Sequence, residues 1–434
     1  APGESITFAF ELLLTPCKPL DPPSHWKQRY YQVGYPTAAS VEPEVVAATG
    51  ATILNIHQGV DGLLNPHINY PFDKRTTSHL SAYTETAHAL GLRVKAYYTV
   101  RELSNHADEL WVLRSLGDEV LADGNGGGDS WANEQLVNGF AACWQTPLSD
   151  GDFDSALCTK GISRWVNYYV EGLTRLLRPP VNLDGIYYDG IGFGVYTMRR
   201  VRRVLQAEKG MGNGLIDLHC GNNLLGTQYG QVSPQLQFMH LMPYIDSVWF
   251  GEGYDYLGSP PQYWLVESSG IPFGLMGDMM HEGHVWRGMV YGMTTRFRCA
   301  DPTPLWRLWD TFGIGDSTMV GYWEAKPPVT SSCAHLLATS YVKFGNATLI
   351  AFASWQHTTH FFADAPPTDE CKLRIDFGAI GLSPPPNVRV SAPDLMALGQ
   401  PPARHIALSA EDGYEVAVPF GGGSDGGVLL VERT

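Results

Sequence analysis

The sequence predicts an α/β protein: a (β/α)8 TIM barrel followed by a C-terminal antiparallel β-sandwich. Eight apolar, β-rich runs recur through the first three quarters of the 434 residues. Most are continuous rather than alternating, which is typical of parallel strands buried on both faces. Helix-like segments separate several of them. After about Gly315, the chain changes to short strands divided by Gly and Pro, a texture typical of a small sandwich.

The barrel prediction rests on the number and order of these runs. The strand candidates lie at 5–14, 51–59, 93–100, 183–190, 214–221, 245–253, 271–279 and 286–294. Helices are predicted at 76–91, 161–180 and 196–210, because each segment ends in Gly or Pro, and at 305–313 as the last helix. Eight strands with intervening helices match a TIM barrel.

We therefore predict two domains, a catalytic barrel over 1–315 and a β-sandwich over 316–434. The sandwich strands include "ATLIAFASWQ" and "GGVLLVERT". The Gly-rich segment 118–135 has no strong period and lies between the third and fourth barrel strands. We predict a long loop there, on the catalytic face.

Composition narrows the classes of partner. A net charge of −15 repels phosphate backbones, so we expect no nucleic-acid partner. No apolar run reaches about 18 residues, so no membrane span is predicted. The 7 cysteines include no CxxC motif and allow one or two disulfides. The sequon at Asn346 weakly favours a secreted or extracytoplasmic location.

No bound metal or organic cofactor is expected. A metal-dependent barrel hydrolase often has an H-x-H pair after its first strand, and here that position reads "TPCKP". Neither a P-loop nor a GxSxG elbow occurs. His57, His219 and Asp278 would be the metal ligands in that less favoured interpretation.

The catalytic face of a parallel barrel lies at the carboxyl ends of its strands. Polar residues at or after the predicted strand ends are Lys18, His57, Arg101, Glu102, Asp189, His219, Glu252 and Asp278. We predict that Asp189 presents its carboxylate to a substrate; the alternative is a helix N-cap. Glu252 follows an aromatic strand end that would desolvate it and raise its pKa, which suits a general acid.

Other residues at this face are predicted to bind substrate. His57, His219 and Asp278 would hydrogen-bond hydroxyls, and Lys18 and Arg101 would bind hydroxyls, a carboxylate or a sulfate. Arg101 has a second interpretation as the ion-pair partner of Glu102 or Asp189. The aromatic candidates for a sugar platform are Tyr98, Tyr187, Trp249 and Tyr254, which could equally be packing residues. Two carboxylates at a barrel mouth fit glycoside hydrolysis.

Several blocks of the sequence look familiar as a set. They include "NIHQG", "YYTVRELSNHADELW", "DGIYYDG", "IDLHCGNN", "SVWFGEGYDY" and "SGIPFGLMGDM". Over roughly residues 5–325 the chain resembles a group of proteins related to glycoside hydrolase family 123. The resemblance implies a (β/α)8 catalytic barrel with β-sandwich flanks. It also implies exo-action on a β-linked N-acetylgalactosaminide.

In that family, as the resemblance implies, the substrate's acetamido oxygen attacks the anomeric carbon, and an adjacent Asp-Glu pair orients the acetamide and donates the proton. Asp189 matches the first member, but position 190 is Gly. Glu252 would then have to supply the acid. The arrangement also resembles α-galactosidase-like barrels, in which the Asp is a covalent nucleophile.

We predict a retaining glycosidase that removes a terminal hexose or N-acetylhexosamine, of the galactose or N-acetylgalactosamine type, from a carbohydrate substrate. Asp189 and Glu252 form its catalytic pair. Gly190 motivates the alternative, a non-catalytic carbohydrate-binding protein on a degenerate barrel. The oligomeric state is not predicted.

Overall fold

The fold is described from a computed structural model. It covers residues 7–8, 10, 12–34, 41–57, 63, 69–116, 119–121, 142–148, 151–160, 163–189, 194–221, 239–252, 254–279, 283–297, 300–356, 370–400, 404–411, 413–419 and 425–434, with only the backbone considered at 75–76, 142–143, 220–221, 250–252 and 370.

The N-terminal domain is built on short strands buried on both faces. Its strands are β1 (Tyr30–Val33), β2 (Ile53–Ile56), β3 (Arg93–Tyr97), β4 (Glu102–Ser104), β5 (Ala142–Pro147), β6 (Phe153–Cys158), β7 (Gly185–Asp189), β8 (Leu215–Gly221), β9 (Ser247–Glu252) and β10 (Gly277–Met279). Seven of them form one parallel sheet in the order β1-β2-β3-β7-β8-β9-β10. This sheet curls into the wall of the predicted barrel.

A short eighth segment joins the two edges of the sheet. Met279 of β10 bridges Thr295 in parallel, and Tyr31 of β1 bridges Phe297 in parallel. The backbone N–H of Gln32 donates to the Phe297 carbonyl at 3.1 Å, and that of Phe297 donates to the Tyr30 carbonyl at 3.0 Å. The ring of eight parallel segments is thereby closed, and the predicted (β/α)8 class is confirmed.

The helices cover the outside of this ring. They are α1 (Pro22–Trp26), α2 (Pro43–Ala48), α3 (Lys74–Ala89), α4 (Leu110–Arg114), α5 (Trp165–Leu177), α6 (Val195–Lys209), α7 (Pro261–Tyr263), α8 (Val285–Val290) and α9 (Thr303–Phe312), with a π-helical turn at Trp264–Ser268 and 3-10 turns at Met239–Tyr244, Ile271–Phe273, Ile314–Asp316 and Met396–Leu398. The four predicted helices correspond to α3, α5, α6 and α9. Gly313 ends α9 with a left-handed φ of 71°. None of the described helices is long and apolar enough to cross a bilayer.

The predictions of the first and eighth strands are wrong. In the segment predicted as the first strand, the described residues have no strand structure, and Phe8 and Phe10 are 84% and 91% exposed. The first strand is the four-residue β1, which follows a polar stretch and is too short to stand out by composition. At 286–294 the apolar run forms most of α8, and the eighth parallel segment follows it at 295–297.

The insertion between β3 and β7 has its own sheet. Strands β4, β6 and β5 pair antiparallel in that order. The loop predicted at 118–135 falls largely outside the described residues, of which only 119–121 belong to it. The insertion's first strand begins at Glu102, five residues after β3 ends at Tyr97, so the small sheet follows the carboxyl end of a parallel strand.

The C-terminal region contains two antiparallel sheets. Its strands are β11 (Thr318–Val320), β12 (Val329–Ser331), β13 (Leu336–Lys343), β14 (Ala347–Ser354), β15 (Glu370–Ile375), β16 (Val388–Ala392), β17 (Arg404–Ile406), β18 (Glu415–Pro419) and β19 (Gly426–Arg433). Six strands pair in the order β11-β13-β14-β19-β16-β17 and three in the order β12-β15-β18. Side chains of both sheets, including Ile350 and Leu373, share one core. This is the predicted sandwich.

The other face of the six-stranded sheet packs on the barrel. Tyr341 and Leu349 belong to the same buried cluster as Trp26 and Trp309 of the barrel domain. The Thr339 hydroxyl donates to the Val290 carbonyl at 2.6 Å. The sheet therefore buries both faces, one against its partner sheet and one against the barrel.

Candidate active site

Strands β7, β8 and β9 bring three predicted site residues into one row. Asp189, the last residue of β7, is paired in register with His219 of β8, and His219 is paired with Trp249 of β9. Residues paired in register share a face of the sheet. The rings of His219 and Trp249 lie 4.7 Å apart, and both side chains are buried inside the barrel.

The Asp189 carboxylate lies between a cation and an imidazole. Its Oδ2 is 3.8 Å from Nη2 of Arg101, and its Oδ1 is 3.8 Å from Nε2 of His219. The other ring nitrogen of His219, Nδ1, is 3.0 Å from the Trp249 carbonyl, which fixes the ring's orientation. The Asp189 side chain keeps 24% of its surface exposed, so it remains accessible to a ligand.

Glu102 is a second carboxylate at this end of the barrel, and it is fully buried. Its Oε1 pairs with Nη2 of Arg101 at 3.1 Å. Its Oε2 accepts a hydrogen bond from the Tyr97 hydroxyl and another, at 3.0 Å, from Nε1 of Trp144. Burial raises the pKa of Glu102, against the opposing effect of Arg101 and the two hydrogen bonds.

Arg101 links the two carboxylates through one nitrogen. Oδ2 of Asp189 and Oε1 of Glu102 are therefore no more than about 7 Å apart, the sum of their distances to Nη2, which is within the range found for catalytic carboxyl pairs. The Glu102 side chain has no exposed surface, however, whereas Arg101 is 35% exposed. Glu102 is therefore placed to position Arg101: its ion pair with Nη2, at 3.1 Å, is shorter than the 3.8 Å from Nη2 to Asp189, and it limits how closely Arg101 approaches Asp189.

Aromatic rings surround this charged group. Tyr97 and Tyr187 meet edge to face with their centroids 5.3 Å apart, and the His57 ring lies 5.7 Å and 5.9 Å from them. The Tyr187 and Trp249 rings are 6.0 Å apart. The rings of Tyr97, Tyr187 and Trp249 are buried, so they form an apolar layer against which the charged group packs.

Family models match nearly the whole chain. The TIM-barrel domain of glycoside hydrolase 123 matches residues 21–298, and the C-terminal domain of glycoside hydrolase 123 matches residues 301–409. The chain belongs to glycoside hydrolase family 123. A comparison with curated proteins finds no match.

Solved structures outside family 123 share the fold. An α-amylase from Geobacillus thermoleovorans aligns with a TM-score of 0.55 at 10% identity, covering 94% of this chain and 99% of that one. An α-amylase from Anoxybacillus aligns with a TM-score of 0.53 at 10% identity, covering 94% and 98%. Identity at this level supports the barrel-plus-sandwich architecture and nothing finer.

The structure of this family 123 chain brings six of the predicted residues together. They are Asp189, Arg101, His219, His57, Tyr187 and Trp249. The ion-pair interpretation of Arg101 describes its contacts, since it pairs with both acids considered for it. For Glu252 the backbone alone is described: it ends β9 and is paired with Gly221, after a register shift between Cys220 and Gly221. Its role as the acid stays a prediction.

Lys18 lies at the opposite end of the barrel. Its Nζ donates to the Ile245 carbonyl, two residues before β9 begins, and the Asp246 carboxylate is nearby. The prediction that it lies at the mouth is wrong, because it depended on the incorrect first strand.

Tyr98 faces the helices instead of the pocket. Its hydroxyl donates to the Tyr169 carbonyl at 2.9 Å, and its ring stacks on Tyr169 of α5 at 4.4 Å. Side chains alternate along a strand, so Tyr97 points inward and its neighbour outward. The prediction that Tyr98 binds substrate is wrong for this reason.

Tyr254 lies in a separate buried aromatic cluster. Its ring is 5.1 Å from Tyr256 and 5.9 Å from Trp264, and Trp264 contacts Trp355 of the sandwich at 6.3 Å. The residue therefore packs where the two domains meet, and its predicted role as a sugar platform is wrong.

Asp278 belongs to a buried charge cluster inside the barrel. Its Oδ2 is 3.4 Å from Nη2 of Arg296, and the same nitrogen is 2.6 Å from Oδ2 of Asp217, which lies 3.2 Å from Nζ of Lys95. His25 of α1 approaches Asp278 to 3.9 Å. Burial raises the pKa of Asp278 to about 7 despite the opposing effect of Arg296. Only 3% of Asp278 is exposed, so its predicted contact with substrate is wrong.

One group of potential metal ligands occurs among the described residues, and it is far from the barrel mouth in sequence. It consists of Cys333, His335 and Cys371. Cys333 and Cys371 form a disulfide, with Cα atoms 5.7 Å apart, so their sulfurs are not thiolate ligands.

Sequence reasoning missed Tyr97 and Trp144. Tyr97 could have been found, because it shares the inward face of β3 with Lys95 at a spacing of two residues. Trp144 could not, because β5 reaches the mouth only through the antiparallel return of the insertion.

Proposed function

We propose that this family 123 protein is a retaining exo-glycosidase that removes a terminal hexose or N-acetylhexosamine of the galactose or N-acetylgalactosamine type. In this proposal Asp189 acts at the anomeric centre and Glu252 is the proton donor. The observation that carries it is the partly exposed Asp189 carboxylate between Arg101 and His219 at the barrel mouth.

Two routes fit an acid in this position. In the substrate-assisted route, the acetamido oxygen attacks C1 while the Asp189 carboxylate accepts the acetamide N–H hydrogen bond. In the covalent route, an Asp189 oxygen attacks C1 itself. In both, the acid protonates the glycosidic oxygen as the C1–O bond breaks, and water then attacks C1 from the other side, which retains configuration.

His57 is proposed to contact the sugar. Tyr187 has no exposed surface and packs against this imidazole with Tyr97, so its proposed part is to support His57. An imidazole held in this way suits a hydrogen bond to a hydroxyl of a single terminal sugar.

We also propose that the protein acts outside the cytoplasm. The support is the Cys333–Cys371 disulfide, since such bonds persist in oxidising compartments, together with the Asn346 sequon.

The test compares Asp189→Asn and Glu252→Gln on aryl glycosides of galactose and N-acetylgalactosamine in both anomers. Each variant is expected to lose about 100-fold or more in kcat/KM. Asp310→Asn is the matched control, because that carboxylate lies on α9 and pairs with Arg29, away from the barrel mouth. Unchanged turnover in either variant removes that residue from the mechanism, and NMR of the first-formed product anomer decides retention.

A non-catalytic carbohydrate-binding protein is the second candidate. Gly190 favours it, because the position of the adjacent acid in the family's pair holds no carboxylate. Binding of a monosaccharide without hydrolysis of any of these aryl glycosides would favour this candidate over the enzyme. Hydrolysis confined to N-acetylgalactosaminides would favour the substrate-assisted route.

A further inference from the structure

A groove of about 370 Å3 lies between the first turns of α5 and α6, outside the site described above. Helices of a β/α barrel begin on the face where the strands end. Trp165, the first residue of α5, donates from Nε1 to the Val100 carbonyl, one residue before Arg101. Gly194, at the other side of the groove, follows Asp189 by five residues. The groove therefore opens on the catalytic face, between two strands that supply the site.

The groove is basic within a strongly acidic chain. Two arginines, Arg164 and Arg200, line it, and no carboxylate does. The sequence carries no Asp or Glu from 159 to 170 or from 190 to 207, although the chain as a whole has a net charge of −15. Local positive charge in such a chain selects for anionic ligands.

The two arginines differ in how their charge is balanced. Arg164 forms a two-pronged ion pair with Glu119. Arg200 donates from Nη1 to the Asn167 side-chain oxygen at 2.7 Å, and this partner is neutral. The amide holds the guanidinium in place without cancelling its charge, and within the described part of the chain Nε and Nη2 can donate to an anion in bidentate fashion.

An aromatic ring lies beside this guanidinium. Tyr196 is 71% exposed, and Cζ of Arg200 is 5.7 Å from its ring centroid. A singly exposed aromatic residue needs no explanation by itself. Here the ring, the fixed cation and the Asn167 amide border one groove of ligand size. A ring face for C–H contact next to an anion receptor fits a sugar that carries a negative group.

We propose that this groove is a second saccharide subsite, which binds a sugar bearing a sulfate ester or a carboxylate. The inference rests on the proposed function for the idea that the ligand is a glycan, and it adds that the glycan is anionic. Tyr196 stacks on the pyranose ring, and Arg200 pairs with the anionic substituent. The subsite binds a different sugar unit of the glycan from the one that the active site binds.

Binding is measured by calorimetry on the Asp189→Asn background, so that nothing is hydrolysed. The probes are a sulfated galacto-oligosaccharide, a galacturono-oligosaccharide and a neutral galacto-oligosaccharide of one length. Arg200→Gln and Tyr196→Ala are compared with Arg203→Gln, an exposed arginine of the same helix that does not line the groove. In otherwise unmodified protein, both groove variants are expected to hydrolyse short aryl glycosides normally.

We expect at least one anionic probe to bind about 10-fold more tightly than the neutral one, with the difference lost in Arg200→Gln and kept in Arg203→Gln. Comparison of the two anionic probes then identifies sulfate or carboxylate as the favoured group. Equal binding of all three probes, or anionic binding that survives both groove substitutions, overturns the proposal. Failure of the proposed function would give a different result, because the unmodified protein would then hydrolyse none of the aryl glycosides.

Discussion

Replacing Glu102 with Gln tests whether Arg101 is held away from Asp189. The substitution keeps an acceptor oxygen for the Tyr97 hydroxyl and for Nε1 of Trp144, and it removes only the negative charge. Arg101 is then left with Asp189 as its one carboxylate partner among the described residues. We expect the guanidinium to move from 3.8 Å to ordinary ion-pair distance of the Asp189 oxygen.

The size of the effect follows from that displacement. At an effective dielectric constant of about 20, two unit charges gain roughly 1.5 kcal/mol when their separation falls from about 3.8 to about 2.8 Å. This energy stabilises the ground-state carboxylate and must be given up when Asp189 interacts with the anomeric centre. Since about 1.4 kcal/mol corresponds to a factor of ten in rate, kcat should fall roughly tenfold.

Stability should change much less. The lost ion pair is offset by the relief of burying the Glu102 charge, so we expect a change in the free energy of unfolding within about 2 kcal/mol. The assay is kcat and KM on the best aryl glycoside, with urea denaturation in parallel. Glu208→Gln is the control, since Glu208 pairs with Arg178 on the surface at 2.7 Å, where such pairs contribute up to about 1 kcal/mol.

An unchanged kcat in a folded Glu102→Gln protein would refute the positioning role. A fall in kcat that tracked a large loss of stability would refute it too, because the residue would then act only through the fold.

Further predictions concern charges and the disulfide away from this site. The pKa of Asp278, raised to about 7, makes the folded state retain a proton that the unfolded chain releases near pH 4. Stability should therefore fall by up to about 4 kcal/mol as pH rises from 4 to 7, and Asp278→Asn should flatten that profile in urea denaturation. Lys18→Met should leave kcat/KM unchanged and cost about 1 kcal/mol in thermal unfolding, for the lost bond to Ile245. Replacing both Cys333 and Cys371 with Ala should cost about 4 kcal/mol, given the 38-residue separation; thiol titration of the unmodified protein should find neither free.

The fold class could be predicted because it depends on repeated, local features. Continuous apolar runs with Gly- or Pro-terminated helices between them recur often enough that two wrong strands did not alter the architecture. The first strand was predicted wrongly because apolar composition did not coincide with a strand position in the barrel. Segment 5–14 is apolar yet exposed where it is described, whereas β1 is only four residues long and is stabilised by its neighbours β2 and the 295–297 segment.

Residues of the candidate site could be predicted where the ends of the strands were predicted correctly. Asp189 and His219 were found because they terminate runs that do form parallel strands. The prediction for Lys18 was wrong because the strand that it was expected to follow does not form. The prediction for Tyr98 was wrong because a position at the end of a strand does not determine which way the side chain points. Only every second residue of a strand faces the barrel interior. Applying that alternation to β3 exchanges Tyr98 for Tyr97, which is the residue that contacts Glu102.

The buried charge cluster corresponds to a sequence signal that is missed when only the ends of strands are considered, namely a charged residue in the middle of a strand. Lys95 and Asp217 lie in the middle of mainly apolar strands, and both are fully buried. A charged residue at such a position must find an opposite charge inside the barrel, because an unpaired one would cost several kcal/mol. Lys95 and Asp217 meet this requirement for each other, and Arg296 and Asp278 add a second cation and a second carboxyl group to the cluster.

The Trp249 ring separates this cluster from the candidate site. Its centroid is 4.4 Å from Cζ of Arg296 and 4.7 Å from the His219 ring. The indole therefore packs between two charged groups of different function, one that balances charge in the interior and one that faces the pocket. A smaller side chain at this position would leave a cavity between Arg296 and His219. A large aromatic side chain fills the space between the two groups, and this role is not apparent from its place in β9 alone.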